Sequence, residues 1–237
     1  MEDLPINLSI PKHKPLFTNI LIIAIAIMFL IQILLVYITG EPESVLIKLG
    51  AKWNYGIEHG EYYRFITCAF LHGSIVHLLL NLVTLNAFGK ELESIFGNYR
   101  FLLIFFISAW GASLTSFIFS PYLAIGASGA VFGIIGGLTV FFYKQRGKLV
   151  NSNAKFKSMY TLAGLNLIFG FLIPNIDYSA HIGGLLIGGI TSFFISPEYI
   201  IDTNSLIIKE KNKQAYETFG LLIICIILCF VSLFSTN

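Results

Sequence analysis

The sequence predicts an all-α membrane protein with seven spanning helices, and its composition and its hydropathy pattern support this prediction. Of its 237 residues, 56% are hydrophobic and only 12% are charged, whereas about 25% are charged in an average soluble domain. The mean hydropathy is +0.79. A spanning helix needs about 20 mostly apolar residues, or fewer where protein surrounds its ends. Stretches that meet this need lie at 16–38, 75–91, 101–120, 124–143, 157–174, 179–196 and 216–234.

The first stretch follows a polar segment at 1–15. It is longer than the hydrophobic core of a signal peptide and is not followed by a small-residue cleavage site, so we expect it to be retained as a membrane span. The second, fourth and fifth stretches are weaker because they contain His, Asn, Ser or several glycines. Such residues inside a span favour burial within a helix bundle.

The largest piece outside the predicted spans is the loop 39–74. It carries the aromatic residues Trp53, Tyr55, Tyr62 and Tyr63 among apolar positions and glycines. Aromatic and amphipathic segments next to spans favour the headgroup region. We therefore expect a structured loop that lies partly in the outer leaflet.

The basic residues predict the orientation. With a cytoplasmic N-terminus, only Lys48, Lys52 and Arg64 of the 15 basic residues lie outside. The positive-inside rule then places 1–15 and a linker at 197–215 in the cytoplasm, a six-helix core at 16–196, and a further helix within 216–237. With this topology, Ser128 and His181 both lie near the outer ends of their helices.

Several function classes are disfavoured by the sequence. A net charge of +2 gives no reason to expect a nucleic-acid partner. Cys225 and Cys229 stand four apart on an apolar helix, where they are better interpreted as small hydrophobic residues than as metal ligands. His77 and His181 lack a carboxylate or cysteine partner, and neither H-E-x-x-H nor G-x-S-x-G occurs. We expect no metal and no cofactor.

Ser128 is the first candidate for chemistry. It starts an apolar stretch in Gly126-Ala-Ser-Gly129, and Gly133 and Gly137 continue the small-residue face at intervals of four. A serine in a membrane helix more often makes a helix contact or bonds to its own backbone. The glycine face, however, lets another helix approach, and free N–H groups at a helix N-terminus favour a developing oxyanion.

His181 is the second candidate. Gly184 and Gly188 follow at three and seven residues, so the imidazole and a glycine groove share one helix face. A lone histidine in a span is otherwise a satisfied core residue, a proton-relay group or a metal ligand. If the two glycine faces meet, the imidazole and the Ser128 hydroxyl come within hydrogen-bond reach, which activation of a serine requires.

His77 and Asn81 are stacked one helical turn apart on the second span. Alone, such a pair is more often a polar link between helices. As side-chain donors, they are also candidates for an oxyanion hole. Asp177 is interpreted as a loop or cap residue rather than a third catalytic group, and Phe132 as a packing surface for the imidazole.

These residues resemble the rhomboid family of intramembrane serine proteases. The motifs are Gly126-Ala-Ser128-Gly, His181-x-x-Gly184-x-x-x-Gly188 and His77-x-x-x-Asn81, and the likeness covers roughly residues 60–190. It extends to Arg64, His72 and Gly89-x-x-x-Glu93. Tyr63 precedes Arg64 where the family often has tryptophan.

The resemblance implies a Ser128–His181 dyad and an oxyanion hole made by the Ser128 amide, His77 and Asn81. Gly129, Gly133, Gly184 and Gly188 would pack helices, and Arg64, Glu93 and Phe132 would be structural. It also implies a six-helix bundle with one added C-terminal helix, in which the span 216–234 is the seventh.

The leading hypothesis is therefore an intramembrane serine endopeptidase that acts on membrane-anchored proteins, in a bacterial plasma membrane, with its site toward the outer face. One alternative is a catalytically inactive rhomboid-like protein that binds membrane clients, although such proteins usually lack the serine or the histidine. A small transporter would show internal symmetry and paired broken helices, and the sequence shows neither.

Overall fold

The computed structural model describes residues 13–147, 149, 151–172, 176–197, 199–202 and 207–210. For the last two segments only the backbone is described. The predicted seventh span, 216–234, and nearly all of the polar segment 1–15 lie outside the described residues.

The first span forms helix α1, Phe17–Thr39. Ile23, Leu30 and Leu34 are among its exposed apolar side chains, as expected for a helix that faces lipid on most of its surface. The helix ends at Gly40, whose φ of 71° allows its N–H to donate to the carbonyl of Val36.

The loop 39–74 contains three short helices and a 3₁₀ turn: α2 Pro42–Lys48, α3 Asn54–Glu58, α4 Arg64–Thr67 and the turn Cys68–Phe70. Arg64 is buried and holds the loop together. Its guanidinium donates to the carbonyls of Ile47 at 2.6 Å and Ala51 at 3.0 Å, and it pairs with Glu61. The rings of Trp53 and Tyr63 lie within cation–π distance of it.

The second span is a continuous helical segment that is α-helical at both ends and π-helical in the middle. It consists of α5 Ile75–Thr84, a π-helical turn Leu85–Gly89 and α6 Lys90–Phe96. Glu93 in α6 is fully buried and accepts the N–H groups of Leu16, Phe17 and Thr18 at 2.7–2.9 Å. The carboxylate therefore caps α1, whose first N–H groups have no partner inside the helix.

Four further helices are described: α7 Asn98–Phe119, α8 Ser128–Lys144, α9 Ser152–Leu172 and α10 Tyr178–Ile195. Every residue from Gly129 to Leu138 is buried, so α8 is the central helix. It packs against α7, α9 and α10. By contrast, α9 leaves most of its surface exposed.

The described helices agree with an integral, multi-pass membrane protein. Four described helical segments are long and apolar enough to cross a membrane, Phe17–Thr39, Ile75–Phe96, Asn98–Phe119 and Tyr178–Ile195, and the shorter α8 is also apolar. Together with α9, these elements correspond to the first six predicted spans.

The described part of the predicted spans is helical, in agreement with an all-α membrane protein, and one short hairpin outside the spans was not predicted. Within the predicted linker 197–215, strands β1 Tyr199–Asp202 and β2 Ile207–Glu210 pair antiparallel, with Tyr199 opposite Glu210. Two runs rich in isoleucine flank the connecting residues, and isoleucine favours strands. Four residues per strand are too few to give a clear alternating pattern.

Candidate active site

Ser128 is the first residue of α8. The chain reaches it through Gly126, whose φ of 118° is accessible to glycine and strained for other residues. The Gly126 N–H donates to the carbonyl of Cys68 at 2.9 Å, which fixes this turn against the loop 39–74. The Ser128 hydroxyl therefore stands at a helix N-terminus, on the wall of a cavity.

His181 lies in the first turn of α10, and its Nε2 is 2.9 Å from the Ser128 Oγ. The sequence separation is 53 residues, so the contact depends on how α8 and α10 pack. This distance is a normal one for a hydrogen bond between a hydroxyl and an imidazole nitrogen.

Backbone-to-backbone packing of α8 and α10 brings these two side chains together. A Cβ at Gly184 would lie 2.8 Å from the carbonyl carbon of Gly129, and one at Gly188 would lie 2.6 Å from that of Gly133. Carbon atoms in contact are normally about 3.5–4.0 Å apart. Only glycine at 184 and 188 permits this approach, and the structure places all four predicted packing glycines at the contact.

The imidazole of His181 is held by stacking. Its ring lies 4.3 Å from the Phe132 ring with an interplanar angle of 17°. Within the described residues, its buried Nδ1 has no hydrogen-bond partner. The arrangement is thus a hydroxyl and an imidazole without a carboxylate behind them.

Asp177 is occupied elsewhere. Its Oδ1 accepts the N–H of Ala180 at 3.0 Å and the hydroxyl of Ser179 at 2.5 Å, and its Oδ2 accepts the hydroxyl of Ser116. The first of these bonds caps α10, in agreement with its interpretation as a cap residue.

His77 and Asn81 border the same space. A Cβ at Gly126 would meet the His77 Nε2 at 2.7 Å and the Ser128 Oγ at 3.9 Å, so the His77 ring and the serine flank one glycine. Asn81 is 6% exposed, and its Nδ2 donates to the backbone carbonyl of His77 at 2.9 Å. One of the two amide protons of Asn81 is therefore used within α5, and the other remains for the cavity.

His72 supports His77 from behind. Its ring is fully buried and lies edge-on to the His77 ring at 4.9 Å. Gln32 of α1 holds its backbone through bonds of 2.6 Å and 3.2 Å. Burial, and to a lesser degree the charge of His77, lowers the pKa of His72 to about 4, so His72 is neutral at physiological pH.

The cavity in front of these groups has a volume of about 670 Å³. Its walls include exposed residues on two helices at the edge of the bundle, Val76 and Leu80 on α5 and Asn166 on α9. It is therefore large enough for several side chains and extends from Ser128 toward the edge of the bundle.

Arg64 and Glu93 lie away from this cavity, in the contacts described above. The sequence reasoning missed Lys52, which is completely buried and contacts the segment leading into α8. A lysine in a loop outside the spans gives no signal of burial in the sequence, and only the fold reveals it.

Comparisons with known proteins agree with this geometry. The Rhomboid domain profile matches residues 59–198. The chain is 39% identical over 178 residues to "Rhomboid protease GluP" of Bacillus subtilis (strain 168), covering 74% of this chain and 34% of that protein. It is 32% identical over 190 residues to "RHOMBOID-like protein 5" of Arabidopsis thaliana, covering 75% and 61%.

A third relative, "RHOMBOID-like protein 2" of Arabidopsis thaliana, is 32% identical over 201 residues, which cover 82% of this chain and 62% of that protein. The chain thus spans between one third and two thirds of the length of these relatives. The matched domain contains the described helices from α4 to α10 and, with them, Ser128, His181, His77 and Asn81. This chain belongs to the rhomboid family.

Proposed function

We propose that this chain is an intramembrane serine endopeptidase in which Ser128 is the nucleophile and His181 the general base. The observation that carries the proposal is the 2.9 Å contact between the Ser128 Oγ and the His181 Nε2, on the wall of a 670 Å³ cavity. One of the matched relatives is named a protease.

In the first half of the reaction, the Ser128 hydroxyl passes its proton to the His181 Nε2 while its Oγ attacks the carbonyl carbon of the scissile peptide bond. The carbonyl oxygen becomes an oxyanion. The C–N bond then breaks, and His181 returns the proton to the leaving amine. The product is an acyl ester on Ser128.

In the second half, a water molecule gives a proton to His181 and attacks the ester carbonyl. When this intermediate collapses, the ester C–O bond breaks and His181 gives its proton to the Ser128 Oγ, which releases a carboxylic acid and restores the Ser128 hydroxyl. Since no carboxylate among the residues that the structure describes bonds to the imidazole, we attribute its orientation to the stacked Phe132 ring.

Three donors are proposed for the oxyanion: the Ser128 backbone N–H, the His77 ring and the free amide proton of Asn81. The first N–H groups of α8 have no partner inside the helix, and the positive end of the helix dipole favours negative charge there. The position of the His77 ring beside Gly126, next to the serine, supports its proposed role as an oxyanion donor.

The proposed substrates are membrane-anchored proteins whose spanning helix unwinds near the cut, because a peptide bond inside an intact helix cannot reach the serine. Entry from lipid between α5 and α9 is supported by the exposed cavity residues on both helices. We place the N-terminus in the cytoplasm and the site near the outer face, from the distribution of basic residues. We also propose the six-helix core 16–196 with a seventh helix in 216–237.

Labelling with a fluorophosphonate, a reagent that traps activated serines, tests the dyad. Wild-type protein in detergent should be labelled at Ser128, and Ser128→Ala should not be labelled. His181→Ala should lose labelling while keeping its thermal unfolding temperature within a few degrees of wild type. Equal labelling of wild type and His181→Ala would refute the dyad.

A cleavage assay tests the oxyanion hole. Asn81→Ala should reduce cleavage of a single-span test protein by about 10²–10³-fold, the usual cost of losing one oxyanion donor. Unchanged cleavage in a folded Asn81→Ala protein would remove Asn81 from the oxyanion hole.

A further inference from the structure

Lys52 is the most unusual buried side chain outside the proposed dyad. It lies in the loop 39–74 and is 0% exposed. Burying an ammonium group is costly unless its protons are all bonded. A charge kept in such a place has a structural partner or a function.

The Lys52 ammonium makes three hydrogen bonds. Its Nζ donates to the carbonyls of Tyr122 at 2.7 Å and Ser120 at 2.9 Å, and to the Asn54 Oδ1 at 2.9 Å. An ammonium has three protons, so all of them are used. Two of the three acceptors belong to the segment 120–126 that leads from α7 into α8.

The backbone of Lys52 is joined to the same segment. Its N–H donates to the Ala124 carbonyl at 3.0 Å, and the Ala124 N–H donates to the Lys52 carbonyl at 3.1 Å. Asn54 adds a bond from its Nδ2 to the Ser120 carbonyl at 3.3 Å. Side chain and backbone together fix the segment at three points, Ser120, Tyr122 and Ala124.

The fixed segment is part of the proposed site. Leu123, Ala124, Ile125 and Gly126 line the cavity that contains Ser128. Gly126 is also the residue against which the His77 ring rests. A displacement of this segment would change the cavity wall while leaving the packing of α8 on α10 in place.

We propose that Lys52 is a positioning residue that holds the segment 120–126 as the cavity wall against which a client polypeptide is placed. The inference rests on the proposed peptidase function. It assigns to Lys52 no contact with the reacting atoms. A small reagent reacts with Ser128 and His181 alone, whereas a polypeptide must also bind against the segment 120–126. This difference makes the role of Lys52 testable.

The experiment compares Lys52→Met with Lys48→Met. Methionine has a similar length without the charge or the donors, and Lys48 is an exposed lysine of the same loop. Two rates are measured for each protein in detergent: fluorophosphonate labelling of Ser128, and cleavage of a single-span test protein with a glycine-rich membrane segment. Thermal unfolding is followed in parallel.

We expect Lys52→Met to keep its labelling rate within about twofold of wild type and to lose roughly 10- to 100-fold in kcat/KM for the test protein, since a misplacement of about 1 Å costs that much. The loss should appear mainly in KM. Lys48→Met should match wild type in both rates. Equal losses of labelling and cleavage, or no loss of either, would overturn the inference.

A second variant keeps the inference testable if Lys52→Met does not fold. Ala124→Pro retains Lys52 but removes the N–H that bonds to its carbonyl, and it should show the same selective loss of cleavage. Unfolding of both variants would mean a purely structural role and overturn the proposal. If the wild-type protein is neither labelled nor able to cleave the test protein, the proposed function is wrong. If wild type is labelled and cleaves, and Lys52→Met does both equally well, only the proposed role of Lys52 is wrong.

Discussion

Substitution of Gly184 by alanine should separate the proposed dyad without touching either member. The new Cβ would stand 2.8 Å from the carbonyl carbon of Gly129, with the carbonyl oxygen nearer still. Since such atoms are normally about 3.5–4.0 Å apart, α10 must move away from α8 by about 1 Å.

That displacement is large compared with the range of distances over which a hydrogen bond between Ser128 and His181 can form. Added to the 2.9 Å between the Ser128 Oγ and the His181 Nε2, it gives roughly 4 Å, beyond the range of about 2.5–3.2 Å for a hydrogen bond. We expect a loss of about 100-fold in activity. Overpacking should also lower the free energy of unfolding by about 1–3 kcal/mol.

Gly164→Ala is the matched control. Gly164 lies on α9, and a Cβ there would meet no atom within 4 Å. Alanine favours a helix over glycine by about 1 kcal/mol, so this variant should be equally active and no less stable. The assay is the rate of fluorophosphonate labelling of Ser128 in detergent, with thermal unfolding in parallel. A Gly184→Ala protein labelled as fast as wild type, or an equal loss in both variants, would refute the packing argument.

Three further outcomes are expected. Glu93→Gln removes a buried charge that caps α1, so chemical denaturation should show about 2–3 kcal/mol less stability; an unchanged midpoint would contradict the capping role. Burial raises the pKa of the Cys68 thiol to about 11, so little of it is the reactive thiolate in the folded protein. In a Cys225→Ser, Cys229→Ser background, labelling of Cys68 by a maleimide at pH 8 should therefore become about 100-fold faster or more when the protein unfolds. Equally fast labelling of the folded protein would contradict this prediction. Burial lowers the pKa of Lys52 from its ordinary 10.5, while the charge of Asp177 opposes this shift. Between the lowered pKa and 10.5 the unfolded chain therefore binds more protons than the folded protein, and the stability of wild type relative to Lys52→Met should rise with pH in that window. A stability difference that stays constant with pH would refute this prediction.

The helical membrane bundle could be predicted because it depends on hydropathy along the chain. The glycine spacing after Ser128 and His181 carried the packing information as well, since glycines at three- and four-residue intervals line up on one helix face whatever the rest of the fold does. The glycine spacings are local features of the sequence. To predict the contact between the Ser128 helix and the His181 helix, only one further assumption was needed, namely that their glycine faces meet.

The contacts of Lys52 and Glu93 could not be derived in the same way. Each joins parts of the chain that are 68–77 residues apart, and nothing periodic marks the partners, which are mostly backbone groups. A carbonyl or an N–H has the same chemistry at every position, so the sequence does not reveal which one a buried charge selects. The resemblance indicated a structural role for Glu93, but only the structure gives its partner.

The cap that Glu93 places on α1 also has a consequence for the order of assembly. As the chain is synthesised, α1 is complete long before Glu93 exists, and its first N–H groups must be satisfied by water or lipid headgroups. Their replacement by a carboxylate 75–77 residues further on requires that α6 has already inserted and reached the same depth. The start of the first span is therefore completed by a residue of the second, so this cap can form only after both helices have reached their final depths.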